Sequence, residues 1–193
     1  MSQKLQLFII HCTATPEGRP VTPDEIRQWH MGPLVNADGS VIYKSTPYES
    51  ILDLPDEKIG GVDVKKLSGR GWSKVGYSDM ILLDGSLVNL IPYDEDDNVD
   101  PREISNGATG TNSIGRHLVY AGGLTKDGTA SKDTRTPAQR ATMEAWVNQI
   151  ITYHPEIKGA GHNQFAKKDC PGFYVPMWLK SIGVRDQNIF IKK

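Results

Sequence analysis

Cys12 and Cys170 are the only thiols in this chain of 193 residues. A small disulfide-stapled scaffold carries more, so metal-binding or free-thiol roles weigh at least equally with a bridge. Long apolar runs are scarce as well. Between Met1 and His11 the only continuous run is Leu7-Phe8-Ile9-Ile10, too short for the apolar region of an export signal or for a membrane span. The expectation is a chain made in the cytoplasm without a signal peptide and without membrane insertion. Nor is charge of one sign in excess. The 22 Lys and Arg against 23 Asp and Glu leave a net charge of −1, which offers no basic stripe to nucleic acid. The hydrophobic share of 38% is enough for one core, and 19 Gly with 12 Pro indicate much loop.

What is present begins with a buried strand, Leu5 to Thr13, apolar without alternation and rich in β-formers. His11 ends its apolar run, and strand alternation puts His11 and Cys12 on opposite faces. Thr22-Pro23-Asp24-Glu25 reads as a helix start, with a capping Thr, Pro at the first helical position and Glu completing a capping box. That helix runs through Ile26, Trp29 and His30 and stops near Gly32-Pro33. A hairpin turn is expected at Asp38-Gly39, but residues 32–68 otherwise show no sustained period and read as an insertion or flap. Tyr77 to Leu83 and Ser86 to Ile91, joined by Asp84-Gly85, read as a hairpin. The run Asp94-Glu95-Asp96-Asp97 reads as a solvated loop, because the twelve-residue calcium pattern is absent. Ser113 to Tyr120 holds another strand. Thr136-Pro137-Ala138-Gln139 repeats the helix-start grammar ahead of the core-facing stripe Met143, Trp146, Val147, Ile150 and Ile151. Pro155 ends that helix, Ile157 to Gly161 is the last strand, and 174–193 is a tail with Trp178 and Phe190 as docking groups.

Between that strand and the tail lies a polar loop, Gly161 to Phe173, which brings His162, Lys167, Lys168 and Cys170 into nine residues. Loops held by rigid neighbours are where binding groups tend to sit. A catalytic zinc takes three protein ligands and an open fourth position. His11, His162 and Cys170 would meet that need, although Cys170 taken alone reads more readily as a buried thiol before a Pro turn. Of the other histidines, His30 and His154 suit cap or surface roles at helix ends. His117, inside a strand beside Arg116, is left open as a ligand by spacing alone.

Six stretches occur in a telling order: His11-Cys12-Thr13-Ala14-Thr15, Glu25-Ile26-Arg27-Gln28-Trp29-His30, Gly71-Trp72 with Val75-Gly76-Tyr77, Asn112-Ser113-Ile114-Gly115, Thr136-Pro137-Ala138-Gln139, and His162 through Cys170-Pro171. Together they resemble the zinc-dependent N-acetylmuramoyl-L-alanine amidases of the bacteriophage T7 lysozyme type, relatives of the peptidoglycan recognition proteins. The resemblance covers roughly 5–31 and 69–175. It implies an α/β domain spanning 1–193, with a mixed central β-sheet flanked by helices and a zinc site at one end of the sheet. It implies that His11, His162 and Cys170 bind Zn2+ and that Tyr77 and Lys168 are the catalytic tyrosine and lysine, with Lys167 a neighbour without that role. The reaction implied is hydrolysis of the amide joining N-acetylmuramic acid to L-alanine in peptidoglycan. Bound zinc would polarise the carbonyl and activate water, while Lys168 and Tyr77 are donor types suited to the developing oxyanion. Trp29, Trp72 and Asn112 are candidates for a substrate groove, with core packing the competing role for either tryptophan.

The setting expected is a phage endolysin, monomeric, reaching the cell wall with the help of a membrane-permeabilising holin. A non-catalytic peptidoglycan-binding protein and a regulator of a polymerase are the alternatives, and the first is disfavoured because such proteins typically lose the cysteine ligand. Three departures bear on substrate preference. Ser78 stands where many relatives carry a His, 104–111 lacks a His often placed there, and 32–68 lengthens the loop after the first helix.

Overall fold

A computed structural model of the chain describes residues 1–32, 34–35, 41–42, 58–59, 62–63 and 69–192. The expected turn at Asp38-Gly39 and most of the 32–68 segment lie outside the described residues. The chain divides into two compact units, Met1–Val21 with Tyr77–Lys193, and Thr22–Gly76.

The larger unit is built on a five-stranded mixed sheet. Its strands are β1 (Leu7–Cys12), β2 (Asp79–Ile81), β3 (Leu87–Asn89), β4 (Gly115–Tyr120) and β5 (Lys158–Gly161), in the spatial order β5-β1-β4-β2-β3. β5, β1, β4 and β2 run parallel, and β3 closes the sheet as the antiparallel partner of β2. The two central strands, β1 and β4, are buried at every residue, as parallel strands covered on both faces must be. Alternation sorts β1 cleanly. Phe8, Ile10 and Cys12 join one apolar cluster, and Leu7 and Ile9 join another with Ala108, Ile114, Phe165 and Phe190. His11 therefore belongs to the second face, near the carboxyl end of a strand flanked on both sides.

The long helix α2 (Pro137–Tyr153) opens on the Thr136/Gln139 capping box that its sequence announces. Met143, Trp146, Val147 and Ile150 bury its inner stripe against Phe8 and Ile10, each contributing about 1.5–3 kcal/mol through lost apolar exposure. The segment after 174, expected as a tail, is structured. Val175–Ser181 is a short helix, α3, whose Val175 and Leu179 are fully buried in the same cluster. Beyond it, Phe190 N bonds Gly159 O at 2.9 Å along the free edge of β5, which covers an otherwise exposed strand edge. Asp94–Asp97 is more than a solvated loop, since Asp97 O accepts from Leu5 N at 2.8 Å and Asp97 Oδ1 lies 2.8 Å from His154 Nδ1.

The smaller unit carries α1 (Pro23–Met31), opened by the Thr22/Glu25 capping box. At its end Gln28 O accepts from the capping Gly32 N, and Trp29 O and His30 O, which a helix end leaves unpaired, accept from Arg70 N and Trp72 N of the returning chain. Leu34–Val35 pairs with Val41–Ile42 and Lys58–Ile59 with Val62–Asp63, both antiparallel. Among the described residues no helix is long and apolar enough to cross a membrane.

Candidate metal centre

The parallel register of β5 on β1 assembles the cluster. Gly161 pairs with Ile10, so the next residues, His162 just past the end of β5 and His11 still on β1, stand side by side. A Cβ at position 161 would stand 2.7 Å from Asn163 Oδ1 and 2.9 Å from Val175 Cγ2. Glycine there lets the loop and α3 close on the strand end.

After Gly161 the chain makes a single 3-10 turn, His162–Gln164, where a loop without periodicity was expected. Gln164 Oε1 accepts from Gly161 N, and Asn163 N donates to Cys170 O at 2.8 Å. The loop thus folds back on itself. Tyr120 OH, buried at the end of β4, donates to Pro171 O at 2.7 Å and ties the returning limb to the sheet. The Cys170–Pro171 peptide bond is cis.

These constraints place His11 Nδ1 3.1 Å from His162 Nδ1 and 3.9 Å from Cys170 Sγ. The three donor atoms all lie within 4.8 Å of one another. Tetrahedral zinc with the usual bond lengths has ligand–ligand edges of about 3.3–3.6 Å, so the observed separations straddle the required size. Two imidazole nitrogens and one thiol are also the right donor chemistry. The residues fit the ion.

Electrostatics point the same way. Burial, and then the charge of Lys168, lower the pKa of His162 to about 4, which keeps its imidazole neutral and able to ligate. Contact with the Cys12 thiol, and then burial, push the Cys170 thiol well above its ordinary value. The Cys12 N–H, 3.3 Å from Cys170 Sγ, and the Lys168 charge pull the other way. A bound cation tips that balance, because a coordinating thiol is deprotonated outright. Cys12 itself packs in the core on the opposite face, meeting Cys170 through its thiol as well as its backbone N–H, and is not one of the three clustered donors.

The remaining candidates are distributed unevenly. Tyr77, half-buried ahead of β2, holds its ring 5.1 Å from that of His11. Lys168 is exposed on the loop, near enough to act electrostatically on both His162 and Cys170. Asn112 has a local partner, its Oδ1 accepting from Ala108 N at 2.9 Å. Trp29 and Trp72 belong to the smaller unit, where Trp72 stacks on His30 at 4.9 Å and carries the Arg70 guanidinium over its ring. His30, buried, accepts from Gly76 N at 3.0 Å, the satisfied role its helix-end position suggests.

One residue of the site was not assigned a role by its sequence. His117 is fully buried on β4, and its Nδ1 lies 2.9 Å from His11 Nε2. It is outside the three-donor cluster and touches it from behind. Burial, and then the neighbouring His162, hold its pKa near 3, so it is neutral. The signal available in sequence was a titratable residue in mid-strand among apolar neighbours.

The likenesses to known proteins follow the same pattern as this geometry. No protein-family model matches the chain. An endolysin of Enterobacteria phage K11 is 22% identical over 179 residues, spanning 93% of this chain and 88% of that protein. The solved N-acetylmuramoyl-L-alanine amidase LysC from Clostridium intestinale URNW superposes with a TM-score of 0.56 at 17% identity, covering 94% of this chain and 86% of that one. Bumblebee PGRP-SA gives 0.56 at 16% identity, over 92% and 81%. The chain has the amidase and recognition-protein fold. In the amidase fold so drawn, the His11, His162 and Cys170 cluster occupies the carboxyl ends of β1 and β5, the end of a parallel sheet where ligands ordinarily bind.

Proposed function

We propose that this chain is a zinc-dependent N-acetylmuramoyl-L-alanine amidase acting on peptidoglycan as a phage endolysin. The observation that carries the reading is the convergence of His11 Nδ1, His162 Nδ1 and Cys170 Sγ within 4.8 Å in a chain whose relative from phage K11 is an endolysin. Three neutral-nitrogen and sulfur donors, leaving one position open, are the ligand set of a catalytic rather than a closed structural zinc. Zinc held there supplies a Lewis acid for a carbonyl and for water.

The protein's own groups do the rest. The Tyr77 ring, 5.1 Å from that of His11, and the Lys168 charge, felt by both His162 and Cys170, support their roles as the two donor groups. Both are donors for the oxygen that gains charge when the lactyl amide carbonyl is attacked. Trp29, Trp72 and Asn112 each remain candidates for a contact with glycan or stem peptide. The whole chain serves as one amidase domain, monomeric, with 32–68 as its insertion, and a holin-type partner gives it passage to the wall.

Retention of Cys170 beside both histidines favours cleavage over binding alone. The test is incubation of purified protein with isolated cell walls. New amino-terminal L-alanine should appear, disappear with a chelator and return with added zinc. Walls bound without new amines would favour the recognition-protein reading instead.

A further inference from the structure

We propose that His117 is the positioning residue of this centre: its Nδ1 accepts the Nε2–H of His11 and so fixes the His11 Nδ1 lone pair toward His162 and Cys170. The inference rests on reading the cluster as a metal centre.

A neutral imidazole has one N–H and one lone pair. His11 Nδ1 faces His162 Nδ1 at 3.1 Å and Cys170 Sγ at 3.9 Å. If that nitrogen is to ligate, the proton of His11 must sit on Nε2. Nε2 lies 2.9 Å from His117 Nδ1. The bond then runs one way only, with His11 donating and His117 accepting. A ligating imidazole whose other nitrogen donates to a fixed acceptor is held in tautomer and in ring orientation.

The arrangement has a cost that shows which partner it serves. With Nδ1 accepting, the proton of His117 is on Nε2. That nitrogen is buried and meets no hydrogen-bond partner among the described residues. Leaving a buried donor unmet is unfavourable, so the tautomer of His117 is set by what His11 needs and not by its own surroundings.

The sheet register makes the contact. His117 pairs with Ile9, and Val119 with His11, so His117 is on the same face as His11, one step back along the adjacent strand. On its other side the pairing of Leu118 with Asp79 puts Ser78 opposite His117. Ser78 is fully buried, its N donates to His117 O at 2.8 Å, and its hydroxyl accepts from His117 N at 3.2 Å. A small residue at 78 leaves room for an imidazole at 117.

The full chain, His117→Leu and His117→Asn are compared for zinc affinity by competition with a chromophoric chelator, with folding checked by circular dichroism. Leu removes the acceptor at similar bulk, and Asn can place Oδ1 where Nδ1 stands. Zinc binding should weaken about 10–100-fold in His117→Leu and stay close to wild type in His117→Asn. Nitrogen-15 spectra of the wild-type imidazoles should place the proton of His11 on Nε2 and leave His117 Nδ1 bare. Wild-type affinity in His117→Leu, equal losses in both variants, or a proton on His11 Nδ1 would each overturn the role. A wild type that binds no zinc overturns the metal centre and this role with it. Should His117→Leu not fold, the Asn variant and the wild-type spectra decide.

Discussion

His11 Nδ1 and His162 Nδ1 stand 3.1 Å apart, although 151 residues separate them in the chain. The parallel pairing of β5 with β1 does this, with no help from local sequence. Both nitrogens point at one space, and Cys170 Sγ completes it. Either His162→Ala or Cys170→Ala should therefore lower zinc affinity by more than the roughly 100-fold that loss of an outer partner costs. Cell-wall cleavage should fall with it. Metal analysis after dialysis checks the first and amine release the second.

The two oxyanion donors predict a different signature. Tyr77→Phe and Lys168→Ala leave His11, His162 and Cys170 in place, so zinc content should stay at wild-type level. Activity should drop by about 100–1000-fold for each donor removed, mostly in kcat. Lys167→Ala, its exposed neighbour, should cost little. Steady-state kinetics on soluble muropeptide would show the split, and an equal loss for Lys167 and Lys168 would remove Lys168 from its role.

How much of this was legible in the sequence depended on how local each feature is. Both capping boxes, at Thr22 and Thr136, were readable because every atom involved lies within four residues. β1 was readable from its apolar run. The short helix over Val175–Ser181 was not, because Val175 and Leu179 gain their burial by docking onto β5. His11, His162 and Cys170 were joined by family resemblance, and spacing alone left Cys170 undecided. His117 was left open because its role depends on a strand register that no local pattern encodes.

Buried neutral imidazoles set the pH response of the metal-free protein. His30 is lowered to about 4 by burial and then Arg70, and His117 to about 3 by burial and then His162. Below the ordinary value of 6.5 the unfolded chain takes up protons that the folded chain refuses, so stability is full above that value and declines as pH falls toward 4 and 3. Between pH 7 and pH 5, His117 contributes a loss of about 2 kcal/mol. Urea unfolding at the two pH values should show it, and His117→Leu should show less. An unchanged midpoint on acidification would contradict the assignment.

Away from the site, Glu103 and Arg116 form an ion pair at 3.0 Å with both side chains 1% exposed. The same Arg116 nitrogen reaches Asp94 O and Asn98 O, and its guanidinium covers the Tyr93 ring at 4.2 Å. Removing one member strands the other charge in the core. Glu103→Ala should destabilise by about 3–5 kcal/mol, with zinc affinity per folded molecule unchanged. Denaturant melts alongside chelator competition separate the two.

Product identification on a defined muropeptide shows which bond the chain breaks. The zinc-loaded chain should release a saccharide with a free lactyl carboxylate and a peptide with a free L-alanine amine, and His162→Ala should release neither. Cleavage at a glycosidic bond or within the stem peptide, or an intact muropeptide in the presence of stoichiometric zinc, would contradict the amidase reading.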